Sequence, residues 1–283
     1  MITYRATLDV PDGLVLFLAR LLAAERRRRR TPARSRKLGC RAQAVMALRW
    51  FRDRTRIEAL GRDNGVSRAT AYRYVAEAVD VLADLAPGLA DALERALAEK
   101  VPYVILDGKV FETDACAGTG ENAKGEQTRL WHSGKAHRYG ANVQAVMRPD
   151  GLPLWTGPAA PGSAHDLAAA RACALPFLYR AAARGLPALA DSGYQGAGIG
   201  IKVPFKNPKQ KKGTALKELD GSQRTFNLLL RGLRAPGERG FALLGRRWAA
   251  LQHITASPGR ITEITRAALV LTHWEHKYLA QIL

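Results

Sequence analysis

The stretch "VPYVILDGKV", residues 101–110, is where the chain changes from helix-like to strand-like sequence. Mostly apolar residues lead into a single acid, Asp107, and the run ends at a glycine. An apolar run of this length that stops at a turn signal predicts a buried strand. A carboxylate at the end of such a strand needs an explanation, and it directs attention to the acids in the rest of the chain.

The residues before this strand are rich in Ala, Leu and Arg and have helical spacing, which predicts a helical domain over residues 1–97. Within it, residues 56–82 predict a helix-turn-helix: one helix ends at Asn64-Gly65, and Ser67 caps a second helix. The start of that second helix is the part that enters the DNA major groove in such motifs. The predicted DNA contacts are Arg68, Thr70, Tyr72 and Arg73. A helical hairpin without a DNA-binding role is the alternative.

The sequence after residue 98 predicts a second domain, over 98–283, with strands and helices. "ANVQAVM" and "LPLWTG" flank "RPDG" and read as a hairpin, and a helix from about Ser163 to Arg184 precedes the strand "PALAD". Strands first and then alternating helix and strand indicate an α/β layer with a mixed sheet. The predicted fold class is therefore α/β with an N-terminal all-α domain.

The charge balance predicts a nucleic-acid partner. The chain has 44 Lys and Arg against 25 Asp and Glu, a formal net charge of +19, and the excess is present in both halves. A protein that is basic along its length is expected to bind a polyanion. The arginine-rich segment 25–37 is either a solvated loop or an arm that contacts phosphates.

Cysteine usage and hydropathy limit the compartment. The three cysteines are widely spaced and form no CxxC pair, so a reducing cytoplasm is expected. The apolar stretch 14–24 contains Arg20 and is too short to span a bilayer, so no membrane association is expected.

Two acids, Asp107 and Asp191, each follow an apolar strand-like run. Because the carboxyl ends of strands in such a sheet commonly form a site, the pair indicates a divalent-metal site for phosphoryl chemistry. A third carboxylate is expected on a nearby helix, with Glu238, Glu263 and Glu275 as candidates. Glu238 lies three residues before Phe241, at the edge of an apolar helical stripe, so it is slightly favoured and is expected to project toward the sheet.

Several motifs together resemble one family. They are "ILDGKV", "HSGKAHRYGANVQAV", "GPAAPGSAHDLAAA", "LADSGYQG", "VPFKN" and "LRAPGERGFALLGRRW". From about residue 40 to the C-terminus, the sequence resembles the bacterial insertion-sequence DDE transposases of the IS-five kind, relatives of the Harbinger transposases. The resemblance implies a ribonuclease-H-like catalytic domain in which Asp107, Asp191 and Glu238 are the catalytic, metal-binding acids. Lys109 departs from the family, where a small Thr or Ser is common, and it is expected either to reduce metal affinity or to help hold a phosphate.

The resulting hypothesis is a transposase that uses two Mg²⁺ or Mn²⁺ ions to cut a phosphodiester and join the 3′-hydroxyl to target DNA. Its expected partners are double-stranded DNA, as terminal inverted repeats and target, and further copies of itself. A bacterial, cytoplasmic and nucleoid-associated location is expected. The alternatives are a catalytically silent regulator derived from a transposase and a nuclease that cuts without joining.

Two further groups of residues have competing interpretations. The lysines between Asp191 and Glu218 are either a solvated loop or DNA-backbone contacts, and the predicted contacts are Lys202, Lys206 and Lys209. In "GSAHD", Ser163 and Asp166 have the spacing of a capping box, which is favoured over a metal role for His165 and Asp166.

Overall fold

A computed structural model of the chain describes residues 7–121, 127–207 and 218–278. The chain divides into two compact units: unit 1 is Met1–Ala86 with Leu243–Leu283, and unit 2 is Pro87–Ala242. This division differs from the predicted one at residues 97 and 98. Residues 87–97, which the sequence places in the helical domain, belong to unit 2. The segment from Leu243 onward belongs with the N-terminal helices, which sequence order alone does not indicate.

The described residues form ten α-helices. They are α1 (Asp12–Arg28), α2 (Cys40–Asp53), α3 (Ile57–Asp63), α4 (Arg68–Ala83), α5 (Leu89–Ala98), α6 (Asp166–Cys173), α7 (Leu175–Ala183), α8 (Gly221–Arg234), α9 (Pro236–Gly245) and α10 (Ile261–Glu275). None of these helices combines the length and the apolar character that crossing a membrane would require.

The strands of the described residues number eight. They are β1 (Val104–Glu112), β2 (Thr119–Glu121), β3 (Gln127–Arg129), β4 (His132–Ser133), β5 (Arg138–Met147), β6 (Pro153–Pro161), β7 (Ala188–Leu189) and β8 (Ile201–Lys202).

Unit 1 is helical, and its packing explains the return of the C-terminus. Helix α10 packs against α4, and α1 packs against α2. Residues 267–272 of α10 are almost all buried, as expected for a helix that is apolar on most of its faces. The C-terminal helix therefore completes the core of the N-terminal helices.

The α3–α4 segment of unit 1 consists of two helices joined by a short turn, and its role as a DNA-binding helix-turn-helix stays a prediction. Helix α3 ends at Asp63, and Gly65 has a φ of 61°, a left-handed conformation that glycine adopts at little cost. The Ser67 hydroxyl accepts a hydrogen bond from the Thr70 amide at 3.2 Å, so Ser67 caps α4. Ala71 and the later residues at four-residue spacing are buried, and they hold the inner face of α4 in the core.

Unit 2 contains a six-stranded mixed sheet with strand order β4-β5-β1-β7-β8, and β6 pairs with the other part of β5. Strand β1 is antiparallel to β5 and parallel to β7. Helices α5, α6 and α7 pack beside this sheet. The predicted mixed sheet flanked by helices is therefore confirmed.

Strand β1 is longer than the sequence suggests. It continues past Asp107 to Glu112 and pairs with β5 along its whole length, so Asp107 lies within the strand and does not close it. Because side chains alternate along a strand, Ile105, Asp107, Lys109 and Phe111 share one face of the sheet. The predicted hairpin is present, with the Gly151 amide donating to the Arg148 carbonyl at 2.9 Å.

Helix α9 packs tightly on the face of the sheet that carries Asp107. A Cβ on Gly237 would lie 2.9 Å from the Ile105 Cγ2, so the helix approaches β1 closely only because this position has no side chain. The buried residues of this part of α9 are Gly237, Gly240 and Phe241, whereas Glu238 is exposed. The direction of the Glu238 side chain relative to the sheet stays a prediction.

Candidate functional site

Asp107 lies on β1, and Asp191 lies two residues after the end of the neighbouring strand β7. Strands β1 and β7 are parallel with Ile105 opposite Leu189, and Asp107 and Asp191 each follow two residues after that pair. The Asp107 carboxylate accepts a hydrogen bond from the Gly108 amide at 2.9 Å, and the Asp191 carboxylate accepts one from the Gly193 amide at 2.7 Å. The sheet therefore brings the two predicted aspartates side by side.

The environment of Asp107 opposes its ionisation. Burial raises the pKa of Asp107 to about 6 from its ordinary 3.8, the Gly108 amide lowers it, and the negative charge of Asp191 raises it further. Among the charged groups that act on Asp107, Arg234 favours its ionised form and Asp166 opposes it. A bound cation would relieve this resistance of Asp107 to ionisation, because a positive charge favours the carboxylate form.

A third aspartate, Asp166, belongs to the same site. A Cβ built on Gly108 would lie 2.6 Å from Asp166 Oδ1, and one built on Gly193 would lie 2.9 Å from Asp191 Oδ1 and 3.6 Å from Asp166 Oδ2. The carboxylates of Asp166 and Asp191 therefore line one small space, and Gly108 leaves room for the first of them. We call Asp107, Asp166 and Asp191 the acidic cluster.

The expected capping role of Asp166 is wrong. His165 is the N-cap of α6 and makes no side-chain capping bond, and Asp166 is the first residue within the helix. Its Oδ1 instead accepts a hydrogen bond from the Asn142 side-chain amide at 2.8 Å. A contact to a distant strand replaced the local one, and a capping motif in the sequence cannot reveal this.

A chain of buried amides orients Asp166. The Tyr194 hydroxyl donates to Gln144 Oε1 at 2.6 Å, and Gln144 Nε2 donates to Asn142 Oδ1 at 2.9 Å. Asn142 Nδ2 then donates to Asp166. Burial raises the pKa of Tyr194, so its hydroxyl stays protonated and acts as the donor at the start of this chain.

Two cations border the acidic cluster. Lys135 Nζ lies 3.1 Å from Asp166 Oδ2, and its pKa is raised first by that hydrogen bond and also by the charges of Asp191 and Asp107. Arg234 lies at the end of α8, and its charge lowers the pKa of Asp107. The site therefore combines three carboxylates with two basic side chains.

Glu238, the third predicted acid, lies in the first turn of α9. Its side chain is exposed, one residue after Gly237, which packs on Ile105, and one helical turn after Arg234. Within residues 7–121, 127–207 and 218–278, no three Asp, Glu, His or Cys side chains are positioned to hold one metal ion. A metal role for Glu238 stays a prediction.

Lys109 does not have a purely polar environment. Its ammonium lies 5.8 Å from the centre of the Phe111 ring and 5.7 Å from the centre of the Phe241 ring, distances at which a cation is attracted to an aromatic face. These rings meet edge to face with centroids 6.2 Å apart. Lys109 thus contributes to the contact between β1 and α9.

The predicted DNA contacts of unit 1 lie on the outer side of α4. Arg68, Tyr72 and Arg73 are exposed, and Thr70 is partly exposed. The Arg68 guanidinium is 2.9 Å from Glu58 and 5.6 Å from the centre of the Tyr72 ring. Arg73 Nη2 donates to Thr70 Oγ1 at 3.1 Å. These side chains are accessible to a partner, and their contact with DNA stays a prediction.

A cavity of about 530 Å³ adjoins the same helix. Its basic lining consists of Arg29, Arg36, Lys37 and Arg73, and its acids include Glu77 and Asp80. Arg36 is 3.2 Å from Glu77, so part of this positive charge is compensated within unit 1. The arginine-rich segment after α1 therefore borders α4.

The predicted lysine contacts are only partly described. Lys202 and Lys206 are exposed, on β8 and just after it. Lys209 lies outside the described residues. The DNA-binding role of these lysines stays a prediction.

Sequence reasoning missed Asp166, Lys135 and Arg234 as members of the site. Only the motifs "HSGKAH" and "GSAHD" marked the first two as unusual, and no signal distinguished Arg234 from the other arginines. Each lies far from Asp107 in the chain, and only the packing of β5, α6 and α8 brings it near.

A comparison with known families matches residues 106–273 to the DDE superfamily endonucleases. The matched region begins one residue before Asp107 and contains Asp191, Glu238 and the other residues of the site. Searches of the curated proteins and of the solved structures gave no significant match. Because the match covers more than half of the chain and its first residues carry the aspartate of β1, this protein belongs to the DDE superfamily endonucleases.

Proposed function

We propose that the protein is a metal-dependent DNA transposase that cuts at terminal inverted repeats and joins the cut end to target DNA. The observation that carries the proposal is the placement of Asp107 on β1 beside Asp191, which follows the parallel strand β7, in a chain of the DDE superfamily endonucleases. The ribonuclease-H-like fold and the kinship with insertion-sequence transposases of the IS-five kind are parts of the same proposal.

The donor set fits a hard divalent cation. Carboxylate oxygens are the ligands that Mg²⁺ and Mn²⁺ prefer, and Asp107 carries a raised pKa next to the charge of Asp191. We propose Asp107, Asp191 and Glu238 as the ligands of two such ions. When bound, the ions would stabilise the charge that develops on the attacking and leaving oxygens of a phosphoryl displacement.

The placement of Glu238 in this ligand set rests on two neighbours. Gly237 packs on Ile105, which shares the face of Asp107, and Arg234 acts electrostatically on Asp107. Both lie within one helical turn of Glu238 in sequence, and its exposed carboxylate is available to a ligand.

The reaction would proceed as two displacements. A water oxygen attacks phosphorus, the bond from phosphorus to the 3′-oxygen breaks, and a 3′-hydroxyl is released. That hydroxyl then attacks a phosphorus of the target strand, the bond from this phosphorus to the 3′-oxygen of the target breaks, and the target is left with a free 3′-hydroxyl. The contribution of the protein is to hold Asp107 on β1 and Asp191 just after β7 in fixed positions, because positioning is a main source of catalysis for phosphoryl transfer.

DNA recognition is assigned to unit 1. We propose that α3 and α4 act as a helix-turn-helix and that Arg68, Thr70, Tyr72 and Arg73 contact bases in the major groove. The support is their exposure at the start of a well-capped helix. Lys202, Lys206 and Lys209 would contact the DNA backbone.

The assembly and location follow from the same proposal. Two ends of an element must be held together for joining, so a homo-oligomer is expected on DNA. A bacterial cytoplasm, at the nucleoid, is the proposed location.

The test uses the full chain, labelled inverted-repeat DNA and Mg²⁺ or Mn²⁺, with Asp191→Asn beside the unsubstituted protein. Metal-dependent nicks that disappear in the variant, with joined products in the unsubstituted protein, are the expected result. Equal DNA binding without nicks in either protein would indicate a regulator. Nicks that never yield joined products would indicate a plain nuclease.

A further inference from the structure

A tight hairpin carries Lys135 to the acidic cluster. Strands β4 and β5 pair with His132 opposite Tyr139 and Ser133 opposite Arg138, which leaves residues 134–137 as the turn. The Ser133 hydroxyl accepts a hydrogen bond from the Ala136 amide at 3.2 Å and braces this turn. Lys135 is therefore at the tip of a short, braced connection and not on a long loop.

The ammonium of Lys135 has an asymmetric environment. Its side chain is 75% exposed, whereas that of its partner Asp166 is 12% exposed. The Nζ–Oδ2 distance is 3.1 Å, and Asp191 and Asp107 also act on this lysine. Asp166 is thus held within the protein, and Lys135 extends into solvent near Asp107 and Asp191.

We propose that Lys135 contacts the substrate: its ammonium binds a backbone phosphate of the DNA strand at Asp107 and Asp191, and Asp166 is the positioning residue that aims it. This inference rests on the proposed function, because it assigns a role at the same site.

The geometry lets Lys135 bind a phosphate while it keeps its bond to Asp166. An ammonium has three N–H donors, and because the Lys135 side chain is 75% exposed, donors not directed at Asp166 can reach a phosphate oxygen. A phosphate oxygen offers Lys135 the same kind of charge-assisted hydrogen bond. Lysine is suited to this role because its three donors rotate on a long flexible chain.

Asp166 is held for a positioning role. Its Oδ1 accepts from Asn142, which continues the hydrogen-bonded chain from Tyr194 through Gln144. This leaves Oδ2 to Lys135. A carboxylate fixed by buried amides restricts where the ammonium can lie, and that restriction is what aims it.

The test measures binding of a labelled DNA duplex to the full chain by fluorescence anisotropy at increasing KCl and constant Ca²⁺, with a gel to confirm that the duplex stays intact. Lys135→Met is compared with Lys100→Met, a matched change at an exposed lysine at the end of α5. Loss of one phosphate contact is expected to reduce the slope of log affinity against log salt by about 0.9. The advantage of the unsubstituted protein over Lys135→Met should therefore shrink by about threefold between 50 and 200 mM salt.

Two outcomes decide the inference. A reduced slope in Lys135→Met that Lys135→Arg restores, with Lys100→Met unchanged, supports it. A slope in Lys135→Met equal to that of the unsubstituted protein overturns it. Folding is checked by circular dichroism, and if Lys135→Met is unfolded, the slope of Lys135→Gln decides by the same criterion.

The positioning role of Asp166 has its own measurement. In an Asp166→Asn background, Lys135→Met should change DNA affinity less than it does in the unsubstituted protein, because the lysine is no longer aimed. An equal change in both backgrounds would remove Asp166 from the proposal. The cleavage assay tests the proposed function separately from these binding measurements. If the proposed function is wrong, DNA cleavage is absent or is unaffected by Asp191→Asn, whatever the dependence of binding on salt.

Discussion

The acidic cluster of unit 2 and the outer side of α4 in unit 1 carry charge in opposite ways. In the acidic cluster, like charges lie together, and burial raises the pKa of Asp107 to about 6. On α4, Arg68 is paired with Glu58, and its side chain is 69% exposed. The acidic cluster therefore carries an unfavourable electrostatic free energy, as is common at sites where catalysis is proposed. The exposed charges of α4, where DNA binding is proposed, carry almost none, as is usual for a helix surface.

The largest expected effect is on cleavage. Asp191→Asn should lower the rate of DNA nicking at least about 1000-fold, because a proposed metal ligand contributes several kcal/mol to transition-state stabilisation. Glu112→Gln is the matched control, since Glu112 is on the same sheet but on the opposite face of β1 from Asp107. Single-turnover nicking measures both, and similar losses in the two variants would erase the distinction between the acidic cluster and other acids.

The next effect concerns pH. Because the folded pKa of Asp107 is raised, its contribution to stability is present below about pH 4 and is lost as the pH rises through about 6. The Asp107→Asn variant has no carboxyl group to ionise at this position, so it does not lose this stability as the pH rises. In metal-free protein at pH 7, its free energy of unfolding should exceed that of the unsubstituted protein by up to about 3 kcal/mol. Guanidinium unfolding in EDTA at pH 4 and pH 7 measures this, and a difference that does not change with pH would contradict it.

Crowding at the acidic cluster predicts a third effect. A Cβ on Gly108 would lie 2.5 Å from Gln144 Nε2, 2.6 Å from Asp166 Oδ1 and 3.1 Å from the Tyr194 hydroxyl. Gly108→Ala should therefore cost about 1–3 kcal/mol of unfolding free energy. Gly134→Ala, with no neighbouring atom within 4 Å of its added Cβ, should cost much less. Equal unfolding midpoints for the two variants would show that the site can relax.

The smallest effect is expected on α4. Arg68→Ala removes an exposed ion pair with Glu58 and should change the unfolding free energy by less than about 1 kcal/mol. Thermal unfolding measures this, and Glu58→Ala is the control for the other half of the pair. A larger loss would mean that the stability of α4 depends on its surface charges.

The sequence predicted the two aspartates of the sheet better than it predicted their neighbours. Asp107 and Asp191 each follow an apolar run, and a strand signal is local, so both could be located without coordinates. Ser67 was found for the same reason, because capping depends on neighbours three residues away. The same local argument failed at Asp166, where Asn142, 24 residues away, took the place of a cap.

The residues by themselves determined the helical and mixed α/β regions, the turn before α4 and the two acids that follow apolar runs, because each depends on contacts within a few residues. Tertiary structure alone decided that β1 continues past Asp107, that Lys135 meets Asp166, and that the C-terminal segment joins unit 1. Those contacts join elements distant in sequence, and their free energy comes from packing that no short pattern encodes.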